Sequence, residues 1–317
     1  MHQRVLAACS AWALLTAAPV SAEDESSSQW VAVTQFGAGY DTNANGSTSE
    51  QAFLGFTLDP HSVATKSPFG ELAFSLENTA TLAPQRGFVS TLQLTHRANP
   101  DAPFVDQSVA SLGTEAVVIV GETRYSAGVS GYASWLRGQD QDDERGLNVD
   151  LAVSHQAEEL ETALTLRAGR LSNAPAAYEI LDVDRYLGGV SLTRHNIGSR
   201  SASIGVTMLA GRDIARRVDS PFGNNRIGAQ LSANWAVRGK TTFYMELSNV
   251  HSDYPTSFFD VDRQDQQYGA AFAFEFTDWP AAKWTFTPQL HWVRNDSNVT
   301  LFSYDRIEAA VYVRRAR

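Results

Sequence analysis

Apolar and polar residues alternate over long stretches of this 317-residue chain. The clearest stretches are 147–154, 226–237, 267–276 and 283–292, where every second residue is apolar. A period of two residues is that of a β-strand with one apolar face. These stretches are 8 to 12 residues long, whereas globular strands usually have about 5 or 6 and a tilted membrane strand needs about 9 to 11. The pattern therefore predicts membrane-spanning strands.

Continuing the same pattern along the chain predicts fourteen strands, and the links between them alternate between long and short. Short periplasmic turns and longer outer loops are typical of bacterial outer-membrane barrels. We therefore predict an all-β fold, a transmembrane antiparallel β-barrel of about 14 strands with both termini periplasmic. The predicted strands are 29–41, 69–83, 86–98, 105–120, 122–138, 144–156, 159–171, 181–196, 200–213, 223–238, 240–254, 264–278, 282–296 and 301–314.

A secreted soluble β-protein is the alternative, and the second face of the strands argues against it. That face is small and polar, which suits a lumen that contains water better than a second packed core. In the longest link, 42–68, Phe53–Leu58 either extends a strand or folds inward as a partial plug. Aromatic residues near the predicted strand ends suggest interfacial girdles: Trp30, Tyr40, Trp135, Tyr186, Tyr254, Trp279, Trp284, Trp292 and Tyr304.

The first residues predict export. Residues 1–22 have a positive Arg4, a short apolar core and a small-residue cleavage site, as in a signal peptide. A lipoprotein processing box, Leu6–Cys9, is the weaker alternative because it lies too close to Arg4. Residues 23–28 are then a short periplasmic tail and 29–317 the barrel. The predicted location is the cell outer membrane, with its lipids as partners.

The composition limits the partners and the chemistry that can be expected. The net charge is −10 and becomes −11 when Arg4 is removed, so we expect no nucleic-acid partner, because phosphate binding needs a basic face. Cys9 is the only cysteine, which leaves a mature chain without disulfides or thiolate chemistry. We also expect no cofactor and no metal. The acidic run Asp140, Asp142, Asp143 and Glu144 lacks the spacing of a calcium loop and is better explained as an exposed acidic loop.

No catalytic set stands out, so we expect the chain not to be an enzyme. His96 with Asp106, and His251 with Asp253, are the best candidates for a catalytic pair near the barrel rim. Gly37-Ala-Gly39 lies in a predicted strand with no following helix, so it does not fit a dinucleotide-binding loop.

Two segments carry a resemblance to a known family. The first strand contains Tyr40, Asp41 and Asn43 in a Gly-Tyr-Asp-x-Asn motif, and the end of the chain contains a second motif around a turn. Both resemble the barrel of the surface lipoprotein assembly modifiers. The residues of the second motif are Asn295, Asp296, Ser297, Asn298, Tyr304, Asp305 and Arg306. The resemblance implies a fourteen-stranded barrel that passes lipoproteins or related secreted proteins to the cell surface.

Physically, we interpret the second motif as turn-forming and barrel-closing rather than as a direct substrate contact. Asn295–Asn298 is predicted to form a tight outer loop in which Asx side chains bond the local backbone. Tyr304 and Arg306 then begin the closing strand. Export would use either the lumen or a lateral seam between the first and last strands, with no covalent chemistry.

The chain departs from that family in two ways. Members commonly carry tetratricopeptide repeats before the barrel, and we expect none before this one. The family's barrels usually end on an aromatic residue that the barrel-assembly machinery recognises. Here either Tyr312 and Val313 take that role, or the chain is truncated, or its assembly is weak. The first alternative to export of surface lipoprotein cargo is therefore a passive porin-like channel, and the second is a barrel enzyme.

Overall fold

A computed structural model describes residues 27–137, 143–174, 176–197 and 201–317. Their strands form a closed antiparallel barrel of fourteen strands, in which each strand pairs with its neighbours in the sequence and the last pairs with the first. The all-β barrel prediction is confirmed. The predicted signal peptide, residues 23–26 of the predicted tail, and Asp140 and Asp142 of the acidic run lie outside the described residues.

Each barrel strand overlaps one predicted range. β1 begins at Ser27, so the prediction that residues 27 and 28 belong to a tail was wrong. The barrel strands are β1 (Ser27–Asp41), β4 (Ser67–Ala83), β5 (Arg86–Ala98), β6 (Gln107–Val120), β7 (Thr123–Leu136), β8 (Asp143–Ala157), β9 (Leu160–Ala174), β10 (Val183–Arg194), β11 (Ser203–Ala215), β12 (Asn224–Arg238), β13 (Thr241–Asp253), β14 (Gln264–Thr277), β15 (Trp284–Ser297) and β16 (Tyr304–Ala316).

The long first link neither extends a barrel strand nor joins the barrel sheet. It contains a separate hairpin of β2 (Ala52–Phe53) and β3 (Phe56–Thr57). Short 3-10 turns occur in this link and in three others, at Pro60–Ser62, Pro103–Val105, Ala176–Leu181 and Thr300–Phe302.

The links separate the barrel into a loop end and a turn end. At the turn end, links 84–85, 121–122, 158–159 and 239–240 have two residues each, but 195–202 is as long as several links of the loop end. The alternation of link length is therefore less strict than predicted. Both described chain ends lie at the turn end, because Ser27 pairs with Thr81 and β16 ends at Ala316.

The outer wall of the barrel is apolar through its middle. On β8, for example, Leu147, Val149 and Leu151 are all more than half exposed, as lipid-facing residues are. Trp30, Tyr40, Trp135, Tyr186 and Trp279 are exposed near strand ends, as the predicted girdles require. By contrast, Tyr254 is buried in a loop, and Tyr304 hydrogen-bonds to Gln267 inside the barrel, so these two are not girdle residues.

Within the described parts of the chain, none of the helical segments is long and apolar enough to cross a membrane.

Pairing between β1 and β16 closes the barrel. It runs without interruption from Val33↔Ala316 to Asp41↔Glu308. The ladder continues beyond both strand ends: Ala32 and Arg317 exchange backbone hydrogen bonds of 3.1 and 2.9 Å, and the Thr42 N–H donates to the Ile307 carbonyl at 2.9 Å. The seam between the first and last strands is therefore paired without a break from Ala32 and Arg317 to Thr42 and Ile307.

Candidate functional site

The barrel interior changes along its length. Gln93 and Thr165 face the lumen and are exposed, so water has access to this part of the wall. Near the loop end, in contrast, several lumen-facing polar residues are buried, among them Asp41, Asp213 and Glu308. Side chains therefore cover one another inside the barrel near the loop end. We call this section of the lumen the narrow part, and it is the candidate functional site.

One wall of the narrow part carries four ionised side chains from three strands, Asp41, Arg97, Arg306 and Glu308, which we call the seam cluster. Arg97 donates to Asp41 Oδ2 at 2.8 Å and to Glu308 Oε2 at 2.7 Å. Arg306 donates to the same two carboxylates at 2.6 and 3.1 Å. Because Asp41 is on β1 and Arg306 on β16, the cluster holds the closing strands together on the lumen side.

Beneath the seam cluster, two aromatic rings lie directly over glycines of β1. The Arg97 guanidinium lies 3.6 Å from the centre of the Phe69 ring, a cation–π contact. That ring lies over Gly39, where an added Cβ would come within 2.6 Å of it. The Tyr312 ring covers Gly37 in the same way. These two glycines of β1 therefore provide the room that the rings occupy.

The opposite wall carries a second set of polar side chains, Tyr132, Glu144, Arg185, Asp213 and Arg226, which we call the far-wall cluster. Arg185 makes two 2.9 Å hydrogen bonds to the two oxygens of Asp213, the bidentate geometry that arginine and carboxylate favour. Arg226 also donates to Asp213, and the Tyr132 hydroxyl donates to Glu144. Glu144 thus lies in the lumen, and its assignment to an exposed acidic loop was wrong.

The two clusters face each other across the barrel. β10, which carries Arg185, is seven strands from β1 in either direction around the sheet. Each cluster combines guanidinium and carboxylate groups, so fixed charges of both signs border the narrow part. Such an arrangement can orient and select charged solutes electrostatically.

Five of the seven links at the loop end converge. Phe222, Phe258, Val299 and Phe302 form a buried apolar group, which we call the loop cap. The Phe258 and Phe302 rings are 4.9 Å apart, and Phe53 of the β2–β3 hairpin packs at the edge. Ile180 and Leu181 join from the link between β9 and β10, so five links contribute.

Arg263 fixes one side of the loop cap. Its guanidinium is sandwiched between the rings of Phe302 and Tyr254, 3.5 and 4.0 Å from their centres, and it forms an ion pair with Asp265. Burial raises the pKa of Tyr254, so this hydroxyl stays neutral. On the exposed loop between β11 and β12, hydrogen bonds from Arg217 lower the pKa of Asp219.

The first predicted motif lies at the seam. Tyr40 faces outward, Asp41 belongs to the seam cluster, and Asn43 fastens the long link. The Asn43 amide donates to the carbonyls of Ser47 at 2.8 Å and Asp305 at 3.2 Å. Its backbone N–H donates to Asp41 Oδ1 at 3.0 Å.

The second motif is distributed around the β15–β16 link. Asn295, Asp296 and Ser297 continue β15, so the prediction of a tight loop beginning at Asn295 was wrong. The Asn295 amide donates across the link to the Phe302 carbonyl at 2.7 Å, and Asn298 bonds to Asp262 and Gln264 of the neighbouring loop. Residues 301–303 form no strand, but Tyr304 begins β16 as predicted.

The remaining motif residues point in two directions. Arg306 joins Asp41 in the seam cluster, and Tyr304 accepts a 3.0 Å hydrogen bond from Gln267 in the lumen. On the outer wall, Asp296 pairs with Arg294 at 2.8 Å and Asp305 accepts a 3.1 Å hydrogen bond from Trp292. The structure therefore brings Asp41, Asn43, Asp305 and Arg306 together, and leaves Asp296 apart from them.

His96, His251 and Asp253 lie on the outer wall of the barrel, whereas Asp106 is buried in the link between β5 and β6. His96 Nδ1 is 3.0 Å from the Ser108 hydroxyl rather than close to Asp106, which instead accepts the Asn99 backbone N–H at 2.6 Å. His251 Nε2 and Asp253 are 3.2 Å apart. Among the residues that the structure describes, no group of three His, Cys, Asp or Glu side chains could hold a metal ion.

Sequence reasoning missed Arg97, Glu308, Arg185, Asp213 and Arg226. Each occupies an inward position near a strand end, where a charge interrupts the small polar face. That signal was present in the sequence, but the partners depend on strand register, which alternation alone does not specify.

Comparison with known proteins identifies the fold. No family model matches the chain, and no curated protein matches it. The solved structures it resembles include a loop L8 deletion mutant of OmpT, an outer membrane protein of Vibrio cholerae, with 8% sequence identity, a TM-score of 0.51 and coverage of 93% of this chain and 100% of that chain. They also include the outer membrane channel DcaP of Acinetobacter baumannii, with 8% identity, a TM-score of 0.53 and coverage of 92% and 97%. The chain is an outer-membrane β-barrel.

Proposed function

We propose that this barrel is a passive porin-like channel for small polar solutes, with a preference for cations. The observation that carries the proposal is a closed barrel with a water-accessible polar lumen whose narrow part lies between two charged walls. The similarity to the outer membrane channel DcaP supports it. Barrels of eight strands are nearly filled by side chains, whereas the interior widens as strands are added.

The acidic side chains of the interior favour cations. Inward arginines such as Arg124, Arg167 and Arg314 lie within 4.0 Å of a carboxylate, as do those of the two clusters. Glu71, Glu77 and Glu246 also face the lumen, and none of them forms an ion pair with another described residue. The paired groups largely cancel, so these three glutamates leave the lumen net negative.

Lipoprotein export remains the competing proposal from the sequence resemblance. Export through a lateral seam requires β1 and β16 to separate. In this structure that step breaks the continuous β1–β16 ladder and the buried ion pairs of Asp41. Separating a buried carboxylate from its arginine partners costs several kcal/mol, on the order of 3–5 for such a pair. The seam is therefore better suited to a permanent closure than to a gate.

A seam-locking experiment separates the two functions. Ala38 and Val311 are directly paired on the outer face, and cross-strand Cα distances of about 5.5 Å suit a disulfide. We expect Ala38→Cys/Val311→Cys to show the same steady conductance in planar bilayers when oxidised and when reduced. The reduced form serves as the matched control.

Surface display provides the second measurement. Deleting the gene and probing intact cells for surface lipoproteins should reveal no change if the barrel is a passive channel. Loss of display, restored by the reduced but not by the oxidised double variant, would establish lateral export instead. A barrel that folds but shows no conductance would also contradict the proposal.

A further inference from the structure

Three exposed arginines lie together on the outer wall of the barrel near the loop end. Arg145 is on β8, Arg170 on β9 and Arg212 on β11, and each is exposed. Adjacent residues of a strand lie on opposite faces. Glu144, Gly169 and Asp213, which neighbour the three arginines, lie on the inward face. The three arginines therefore face the lipid rather than the channel.

The strand register places them within reach of one small ligand. Arg145 pairs with Ser172, which is two residues from Arg170 on β9. Arg170 pairs with Asp184, and Arg212 pairs with Tyr186, the next residue on the same face of β10. With strands about 4.8 Å apart and about 3.4 Å per residue, neighbouring Cα atoms in this group are about 8 and 12 Å apart. Arginine side chains span these gaps.

The surroundings of the three arginines indicate the depth at which they lie. Toward the turn end, the same strands expose an apolar band that includes Leu147, Leu166, Val190 and Met208. An arginine facing lipid costs about 2–4 kcal/mol at the bilayer midplane but only about 0–1 kcal/mol near the interface. The group therefore lies at the headgroup level on the loop side.

The group is also only partly neutralised by the protein. Arg170 forms a 3.0 Å pair with Asp184, whereas neither Arg145 nor Arg212 is within 4.0 Å of a carboxylate among the described residues. At the same level on β15 and β16, negative charge exceeds positive charge, because the single Arg294 lies near both Asp296 and Asp305. At this depth the balance of charge is thus more positive on β8–β11 than on β15 and β16.

We propose that Arg145, Arg170 and Arg212 bind the phosphate groups of an anionic lipid headgroup. With the loop end facing the cell exterior, as the sequence predicts, that lipid is the phosphorylated glycolipid of the outer leaflet. Guanidinium groups bind phosphate oxygens in a bidentate fashion, and two phosphates on one headgroup match the spacing of the three side chains. The binding is independent of channel activity.

The test is native mass spectrometry of the full-length folded barrel in detergent, with a diphosphorylated lipid A glycolipid as the probe. We expect Arg145→Gln/Arg170→Gln/Arg212→Gln to weaken retention at least about tenfold. Arg294→Gln, which removes an outward arginine from the other side of the barrel at the same end, is the matched control and should bind like the wild type.

Control ligands show whether the bound phosphate belongs to a lipid headgroup or is free phosphate. A dephosphorylated glycolipid and phosphatidylcholine should be retained no better by the wild type than by the triple variant. Equal retention of the diphosphorylated glycolipid by wild type and triple variant would overturn the proposal, as would displacement of it by millimolar inorganic phosphate. Heat-modified gel mobility reports folding. If the triple variant does not fold, Arg212→Gln against the charge-preserving Arg212→Lys makes the same comparison.

Discussion

A single buried carboxylate can link side chains from several strands of a barrel. Asp41 is fully buried and accepts hydrogen bonds from Arg97 and Arg306, which come from strands on either side of it in the sheet. Removing one member of a buried ionic group leaves the others desolvated and unpaired, and this costs more than the pair contributes in net stability. The effect of changing Asp41 is therefore expected to be large.

We predict that Asp41→Asn lowers the stability of the folded barrel by about 3–5 kcal/mol. The measurement is the urea concentration at which the heat-modifiable folded band disappears. Asp296→Asn is the control, because the Asp296–Arg294 pair is about half exposed and such pairs contribute about 0–1 kcal/mol. Equal midpoints for the two variants would show that the seam cluster does not hold the barrel closed.

Gly39 permits a second prediction at this scale. A side chain there would collide with the Phe69 ring and with the Ala309 carbonyl, so Gly39→Val should reduce the folded yield and the urea midpoint. Gly70 lies on the neighbouring strand with nothing within 4 Å of an added Cβ. Gly70→Val should leave both quantities unchanged or slightly raise them, since valine favours strands. A folded and stable Gly39→Val barrel would contradict the packing described for the seam.

At the scale of the elements, loops from different links pack against one another at the mouth of the barrel. The loop cap joins residues from five links through aromatic contacts such as that between Phe258 and Phe302. On the other side of the long link, His61 stacks on Phe104 with ring centres 4.3 Å apart. The position of each loop at the mouth of the lumen therefore depends on its neighbours.

We predict that Phe258→Ala releases the loop cap and makes the single-channel conductance larger and noisier. A buried phenylalanine contributes about 3–5 kcal/mol to the packing around it. Phe56→Ala, in the β2–β3 hairpin, removes a ring that is 76% exposed and should leave the conductance unchanged. Identical traces from the two variants would mean that the loop cap does not border the ion pathway.

Strands were predictable because lipid and water impose alternation on every residue. Leu147 to Val153 show the outward apolar face directly, and the β8 boundaries differ from the prediction by one residue at each end. The β2–β3 hairpin, the turn at Thr300–Phe302 and the extension of β15 through Ser297 were not predicted. They depend on contacts among loops, such as the bond from Asn295 to the Phe302 carbonyl, that leave no periodic signal. For the same reason, Asp41 and Arg306 were identified from the motifs whereas their partner Arg97 was not.

For the whole molecule, the important quantity is the charge that remains after pairing. Glu71 and Glu246 are inward-facing and form no ion pair with a described residue, and they lie on strands in different parts of the wall. Carboxylates in a narrow aqueous passage attract cations and exclude anions. The net charge of the chain, −10, has the same sign but says less about the lumen.

We predict cation selectivity that depends on these two groups. In a potassium chloride gradient across a planar bilayer, the wild-type reversal potential should favour potassium, and Glu71→Gln/Glu246→Gln should shift it toward zero. Glu122→Gln changes an exposed acid in the turn between β6 and β7 and should leave the potential unchanged. Anion selectivity in the wild type would refute the charge argument, and an unchanged potential in the double variant would assign the selectivity to other groups.

The seam cluster also has a consequence for biogenesis. Asp41 and Arg306 are 265 residues apart in the sequence, so the contact that buries Asp41 forms only after almost the whole chain has been made. Loop closure over such a distance is slow, and long-range strand pairing limits folding rates. A chain that stops before β16 has two open edges and a carboxylate deprived of one of its two arginines. We therefore expect truncated chains to accumulate as protease-sensitive material rather than as smaller barrels. Only a chain that contains the last strand can then reach the protease-resistant folded state.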